Sequence, residues 1–531
     1  MPDDQAKAKE FVADNFDRPE LVVHEGNLPA TVWAARDLLA KHASDLRLFE
    51  RGMPVRLVMP TAGELRPPCA EVLTANYVAM LLHQIARVVK PGQNGVMRET
   101  TFPDRAAKMY LDMKGEWGLP RLVGITGAPL LSEDGGIRSV EGYDPRSGLW
   151  CMGVPKLEIP ERPTRKNAQL SSSCLRWFFR TFSFGDAKVV FDPSLGVPVV
   201  EEDSLPGHDE SGFMSGFLTA ICRPSLLLAP GLLVTSPSAT GSGTGKGLCV
   251  RSISLIAFGT QPLSFTGGHN KEERDKRIVA EFMAASPMML LDNLNDTVLD
   301  SETLQSVMTE RPSQIRPLGQ SKMVEIEGAP FISMTGNGLK PGGDLPRRLI
   351  SCHLDAHMEN AEARPFEGGF LERVREHRAR LLKHALTIWR FGRQNQHEIK
   401  GSTVGSFEVW GRWVRDPLVA LGYRDPVERQ AELKLSDPRR RRAADLFRSW
   451  YHSHGDDLIS SAKLDPAVIQ VLDPKQDTNE KKSRQKITAE IDALVGTTIA
   501  GFTLERQEPQ SRWGPALYRV TKVGRMGHRR V

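Results

Sequence analysis

The sequence predicts an α/β fold built on a parallel sheet, and three observations carry that expectation. The first is Ala239-Thr240-Gly241-Ser242-Gly243-Thr244-Gly245-Lys246-Gly247, a glycine-rich stretch holding one lysine. Apolar runs flank it. Leu226 to Leu228 and Leu232 to Val234 read as a buried strand before it, and Leu248 to Val250 with Ile253 to Ile256 read as the start of a helix after it. Strand, glycine loop, lysine and helix is the phosphate-loop arrangement. The second observation is Met288-Met289-Leu290-Leu291-Asp292, a short apolar run that delivers a carboxylate to its end. The third is Phe331-Ile332-Ser333-Met334-Thr335, which ends in Gly336-Asn337-Gly338 and is followed by a further strand pattern from Leu349 to Asp355.

Each element has a chemical reading. Glycines let consecutive backbone N–H groups converge on a phosphate, and Lys246 neutralises its β and γ oxygens. The candidate ATP-binding residues are therefore Gly241, Ser242, Gly243, Thr244, Gly245, Lys246 and Gly247. The spacing departs from G-x-x-x-x-G-K-[ST] at two places. Thr240 stands where the first glycine falls, and Gly247 stands where a hydroxyl ordinarily ligates Mg²⁺. A strand ending in Asp292 brings a carboxylate to the metal or its water shell, or simply makes a turn. Asn337 at a strand tip positions an attacking water or serves as a turn residue. Arg347 and Arg348, in Gly342-Gly343-Asp344-Leu345-Pro346-Arg347-Arg348, read as a surface turn or as charges that stabilise a transition state.

Composition bounds the class. A chain of 531 residues with 40% apolar and 25% charged residues has ample core for several globular domains. A net charge of +5 is compatible with nucleic acid without requiring it. Six scattered cysteines form no C-x-x-C pair, so neither a zinc site nor a disulfide framework is expected and a reducing cytoplasm fits. The polar start, MPDDQAKAKEF, does not read as a signal peptide, and no apolar run approaches a membrane span.

Taken in order, residues 1–120 read as a mixed helix-and-strand accessory domain, with helical spacing over Ala30–Leu39, Val72–Val89 and Pro103–Trp117 and a strand at Val55–Met59. Residues 121–205 are turn-rich and read as short strands and loops, with Arg162–Lys166 as an exposed linker. Residues 206–360 hold the loop and its partners, including a helix over Glu272–Ala285. Residues 361–472 read as a helical lid and helical region, with Arg439, Arg440, Arg441 and Arg442 opening a helix and suited to phosphate contacts or to a solvated helix start. Residues 473–486 read as a polar linker. Residues 487–531 read as a winged-helix-like module, with Arg506, Arg512, Lys522, Arg525, Arg529 and Arg530 available to DNA phosphates.

The order of loop, strand-Asp, strand-Asn and Arg-Arg, with the segments "MMLLDNLND", "RPLGQSKMVEI" and "FISMTGNGLKPGGDLPRRLISCHLD", resembles the ATPase core of superfamily 3-type AAA+ helicases. More closely it is similar to the primase-associated helicase proteins of phages, plasmids and integrated mobile elements. That resemblance implies a P-loop AAA+-like core that uses ATP and Mg²⁺, a homo-oligomeric ring with a hexamer expected, and DNA, with a primase, as partners. It implies catalytic roles for Asp292, Asn337 and Arg348, the last acting in a neighbouring subunit, with Arg347 as second choice. It places Arg316 and Lys322 in a basic segment that faces DNA or nucleotide. Asn293 stands where many AAA+ proteins carry the glutamate that activates water. The expected activity is a DNA helicase driven by ATP. The alternative is a nucleotide-switched DNA-binding or loading module with little hydrolysis.

Overall fold

The computed structural model describes residues 18–61, 63–92, 95–266, 270–317, 322–363, 368–395, 397, 405–474, 480–507 and 515–523. Five strands form its central sheet: β1 (Gly231–Ser236), β2 (Ser264–Thr266), β3 (Met288–Asp292), β4 (Phe331–Asn337) and β5 (Leu349–His353). Their order is β2-β3-β4-β1-β5, and every neighbouring pair is parallel. Parallel neighbours need crossover connections. Helices supply them: α2 (Lys246–Phe258) joins β1 to β2, α3 (Lys271–Met283) joins β2 to β3, and α4 (Glu302–Thr309) lies between β3 and β4. Because both faces are covered, β1, β3 and β4 read as nearly continuous apolar runs and are buried almost throughout.

A helix not anticipated from the sequence, α1 (His208–Cys222), lies beneath this sheet with Asp209 through Cys222 all buried. Two glycines let it approach. A Cβ at Gly212 would sit 2.0 Å from the Ser351 carbonyl oxygen, and one at Gly216 would meet Leu232 at 2.7 Å. The leucine run before β1 divides. Leu226 is buried and Leu227 is 69% exposed, so only Gly231–Ser236 forms the strand.

The connecting region differs from its expectation. It contains short strands, but also a 15-residue helix, Arg165–Phe179, started by a Thr164–Asn167 capping box. Arg165 and Lys166 are therefore helical. The helix carries Leu175, Phe178 and Phe179 into the main core beside Phe182, Phe213, Phe217 and Phe370. The helical signal of the lid resolves into Phe370–Glu376 and α5 (Arg378–Gln394), whose Leu381, Leu382, Ala385, Leu386 and Trp389 face inward. Residues before 120 form a separate core around Leu39, Leu82, Tyr110 and Trp117, under helices Leu28–Lys41, Ala75–Ile85 and Asp104–Leu111.

All of this belongs to one compact unit. A second comprises Val298–Asp300, Lys340–Arg347 and Gln430–Val531. Among its described residues are four α-helices (Gln430–Ser436, Pro438–His454, Pro466–Leu472 and Glu480–Leu494) and a four-stranded sheet with hairpin Phe502–Gln507 and Leu517–Lys522. They share a core of Phe447, Trp450, Val468, Ile491, Leu504 and Tyr518. The boundary falls after Arg429 and not at 473–486. Asp473 is 1% exposed and accepts from Ser483 Oγ (2.8 Å) and Lys486 Nζ (3.1 Å), which ties these three residues into the unit. No described helix is long and apolar enough to cross a membrane.

Candidate functional site

The carboxyl ends of β1, β3 and β4, three adjacent strands, open on one edge of the sheet. From β1 the chain turns through residues 237–245 and enters α2 at Lys246. Gly243 and Gly245 hold φ of 75° and 91°, left-handed values that a side chain resists. Gly243 is also pressed by the chain that covers the loop, since a Cβ there would stand 2.5 Å from Glu362 Cα. Ser242 is exposed at the tip.

Lys246 is 9% exposed and its Nζ donates to Ser236 Oγ (2.7 Å), the Gly241 carbonyl (2.7 Å) and Thr244 Oγ1 (3.2 Å). All three acceptors are neutral. Burial pulls its pKa down to about 8, against an upward pull from Asp292. A buried ammonium solvated only by loop and strand oxygens is a group that an anion would satisfy better.

Asp292 ends β3. Its Oδ1 accepts from the Thr335 hydroxyl and from Asn293 N (3.1 Å), and Oδ2 lies 3.7 Å from Arg251 Nη2. Residues 293–296 then fold against the tip of β4. Leu294 N and Asp296 N donate to the carbonyls of Thr335 (2.9 Å) and Asn337 (2.7 Å), while Asn295 Oδ1 accepts from Asn337 N (2.8 Å). Asn293 and Asp296 take left-handed φ of 58° and 48°, which these two residue types tolerate best among non-glycines. Asn337 completes the edge: its Oδ1 accepts from Ser236 Oγ at 2.8 Å. Loop lysine, Asp292 and Asn337 thus converge, with Ser236 linking Lys246 to Asn337.

Sequence reasoning passed over Ser236, Ser238, Thr335 and Asn295. Ser238 Oγ donates to Asp296, fastening the loop to the turn after β3. Ser236 and Thr335 are each one hydroxyl near the end of a largely apolar strand, and the role of each shows only once the neighbouring strand is in place.

Gly247 sits in the first turn of α2 with no atom within 4 Å of an added Cβ. The missing hydroxyl is therefore not imposed by crowding. Among described atoms, the residues suited to a divalent cation are Asp292 and the hydroxyls beside it.

Arg348 lies away from the loop. Leu349 pairs with Gly231 at the start of β1, whereas the loop leaves β1 at Ser236. Five residues at roughly 3.3 Å each put Arg348 about 16 Å from its own loop. Arg348 is 8% exposed, with Nη1 donating to Thr309 Oγ1 (2.7 Å) and to the Gln305 carbonyl. The Arg347 side chain is half-exposed and pairs with Asp344. Arg316 directly follows strand Ser313–Ile315, and Lys322 shortly precedes its antiparallel partner Val324–Ile326. Lys322 lies 3.5 Å from Asp112.

In the second unit, Arg442 donates to the carbonyls of Val471 (3.1 Å) and Leu472 and pairs with Glu490 (3.0 Å), so its guanidinium is engaged within the unit although the residue is exposed. Arg439, Arg440 and Arg441 are exposed along the helix start, with Arg439 3.6 Å from Asp300. Arg506 pairs with Asp492 at 3.2 Å. Arg512, Arg525, Arg529 and Arg530 lie outside the described residues.

No protein-family profile matches the chain, and no curated protein is similar to it. Among solved structures it is similar to the apo A form of the NrS-1 C-terminal region. There the TM-score is 0.34 at 13% identity, over 72% of this chain and 85% of that one. A second structure of that region, spanning its residues 305–718, gives a TM-score of 0.37 at 10% identity, over 88% of this chain and 96% of that one. Scores this low leave the functional reading to the geometry of the site.

Proposed function

We propose that the protein is a Mg²⁺-dependent P-loop ATPase of the superfamily 3 type, acting as a ring-forming DNA helicase in replication of a phage, plasmid or integrated element, beside a primase. The observation that carries this reading is the convergence of Lys246, Asp292 and Asn337 at the carboxyl edge of three adjacent parallel strands, where α/β sheets take their ligands. The loop amides and Lys246 hold the β- and γ-phosphates, exchanging the Gly241 and Thr244 oxygens for phosphate oxygens. Asp292 would hold Mg²⁺, which when bound neutralises charge on the phosphates. Asn337, fixed by Ser236 and Asn295, orients the attacking water. Arg348 stands about 16 Å from its own loop, too far to act on it, which suits a role in the neighbouring subunit's site. Half-exposed Arg347 is the better placed to reach out, reversing the order expected from resemblance. Arg316 and Lys322, beside a pair of antiparallel strands, would contact the single strand.

A second reading is favoured by two specific residues. Gly247 offers no hydroxyl to the metal, and Asn293 cannot accept a proton. In that reading the protein binds ATP, hydrolyses it slowly, and works as a nucleotide-gated loader. ATP turnover with and without single-stranded DNA in Mg²⁺ separates the two, with Lys246→Ala and Arg347→Ala beside it. DNA-stimulated turnover that is lost in Lys246→Ala, and restored by mixing Lys246→Ala with Arg347→Ala subunits, supports the motor. Tight ATP binding with negligible turnover supports the loader. Absence of both rejects the assignment.

A further inference from the structure

The opposite, amino edge of the same sheet holds a cavity of about 390 Å³. The segments entering β1, β3 and β4 line it, and Arg51, Arg121, Arg138 and Arg223 face it. Two of these arginines have carboxylate partners. Arg121 pairs with Glu327 at 2.7 Å and Arg138 with Asp144 at 2.9 Å. The other two do not. Arg51 is 4% exposed and, among the described residues, donates only to main-chain carbonyls: Phe282 from Nε (3.1 Å) and Nη2 (2.7 Å), and Leu122 (3.1 Å) and Val123 (2.6 Å) from Nη1. Arg223 is 6% exposed and donates to the carbonyls of Pro330 (3.3 Å) and Leu226.

A third cation stands behind them. Arg311 Nη1 donates to the Val307 carbonyl and Ser313 Oγ, both at 2.8 Å, while its buried Nε has no hydrogen-bond partner. Its charge acts on both neighbours. Burial first, and then Arg311, draw Arg51 and Arg223 down to about 9. Burial alone draws Arg311 to about 10. Glu327 acts on Arg51 from a distance but is spent on Arg121.

Desolvated like charges without a counter-charge are costly, and carbonyl dipoles offset only part of that cost. The missing component is an anion. Guanidinium forks match phosphate oxygens in particular. The Ser225 hydroxyl, whose oxygen accepts from Leu131 N at 2.9 Å, adds a donor on the cavity wall. The volume suits a ligand of mononucleotide size or smaller.

We propose that this cavity binds a small phosphorylated molecule through Arg51 and Arg223, at a site separate from the glycine loop. The full chain carrying Lys246→Ala, which weakens the loop site, is titrated calorimetrically with inorganic pyrophosphate and with a nucleoside diphosphate, in EDTA. Leu227 is 69% exposed on the cavity wall, so its charge variants keep the fold. Saturable binding at one site is expected, weaker by about tenfold in Leu227→Glu and tighter by several-fold in Leu227→Lys, as a charge several ångströms from the phosphate dictates. Arg223→Gln is expected to abolish it, and the Leu227 pair decides the matter if that variant fails to fold. Equal affinity for the two probes assigns the whole interaction to the pyrophosphate group, and tighter nucleotide binding assigns a share to the nucleoside. Either upholds the site. No binding, or binding indifferent to the charge at residue 227, overturns it and leaves the arginines as clamps on main-chain carbonyls.

Discussion

The two edges of the central sheet hold their buried cations in opposite ways. At the carboxyl edge, all three contacts of Lys246 are made within the span from Ser236 to Thr244. At the amino edge, Arg51 ties together carbonyls from residues 122–123 and 282, and Arg223 reaches Pro330. The first cation sits in a local glycine loop whose oxygens a ligand can displace. The second group joins distant segments and is part of what holds them. In the proposed function the first arrangement would change on binding, whereas the second is assembled beforehand.

Paired substitutions give the largest expected contrast. Lys246→Met removes the charge that, in the proposed function, meets the phosphates, and is expected to weaken ATP binding by about 100-fold or more, as befits a lost charge-assisted contact. The unliganded fold should stay within ~1 kcal/mol, because a buried, neutrally solvated ammonium contributes little net stability. Arg51→Met inverts the outcome. Three carbonyls lose their donor, and unsatisfied buried acceptors cost roughly 1–3 kcal/mol each before relaxation, so a loss of about 2–4 kcal/mol is expected in denaturant unfolding. ATP affinity at the loop should be unchanged. Equal destabilisation by both variants would erase the distinction between the edges.

Asp292→Asn and Asn337→Ala sharpen the picture within the carboxyl edge. Both should retain ATP binding in equilibrium titration and lose turnover, by about 10² to 10³ for a group acting on transition-state charge. Asn337→Ala also frees Ser236, so its loss should exceed that of Asn295→Ala, which removes only an orienting contact.

The carboxyl edge was legible in the sequence because its parts are contiguous or close strand ends. A glycine loop, an apolar run closing on Asp292 and another closing on Asn337 each announce themselves locally, and parallel pairing brings them together. Ser236 and Thr335 were missed because a single hydroxyl in an apolar run signals nothing until its neighbour strand is known. The amino edge was illegible for a related reason. Arg51, Arg223 and Arg311 occur in three unrelated sequence contexts, and only the folded chain brings Arg51 and Arg223 to one cavity with Arg311 near both. The helix Arg165–Phe179 was hidden by turn dipeptides on both sides, although Thr164 and Asn167 form its cap. The C-terminal boundary was misplaced because a polar composition at 473–486 concealed Asp473, whose burial depends on partners ten and thirteen residues on. Arg348 matched a motif by position, but its burial against α4 follows from Thr309 and Gln305, which no motif includes.

A pH series tests the electrostatics of the loop with a smaller effect. The Lys246 pKa stands near 8 in the free protein, and bound phosphates would raise it. Below about pH 8 the ammonium is present in both states and affinity should be level. Above it, each pH unit should cost up to about tenfold in ATP affinity, until the bound-state pKa is passed. Stability of the unliganded protein should move the other way. The unfolded chain holds this proton more tightly, so folding gains as pH rises from about 8 towards the ordinary lysine value. Lys246→Met should flatten both profiles.

The smallest change is expected from restoring what the loop lacks. Gly247 has open space where a side chain would stand and lies in the first turn of α2, so Gly247→Ser requires no displacement of neighbours. Serine is a better helix former than glycine by a few tenths of a kcal/mol, so the fold should be unharmed or slightly firmer. Its hydroxyl would stand where it can share the cation with Asp292. If Asp292 holds Mg²⁺ with help only from water, the added ligand should lower the Mg²⁺ concentration for half-maximal turnover by a few-fold and leave ATP affinity in EDTA unchanged. A rise in turnover at saturating Mg²⁺ as well would place the limit on hydrolysis at residue 247. No change in Mg²⁺ dependence would shift attention to Asn293, whose left-handed backbone a glutamate would strain, and would weigh toward the loader reading.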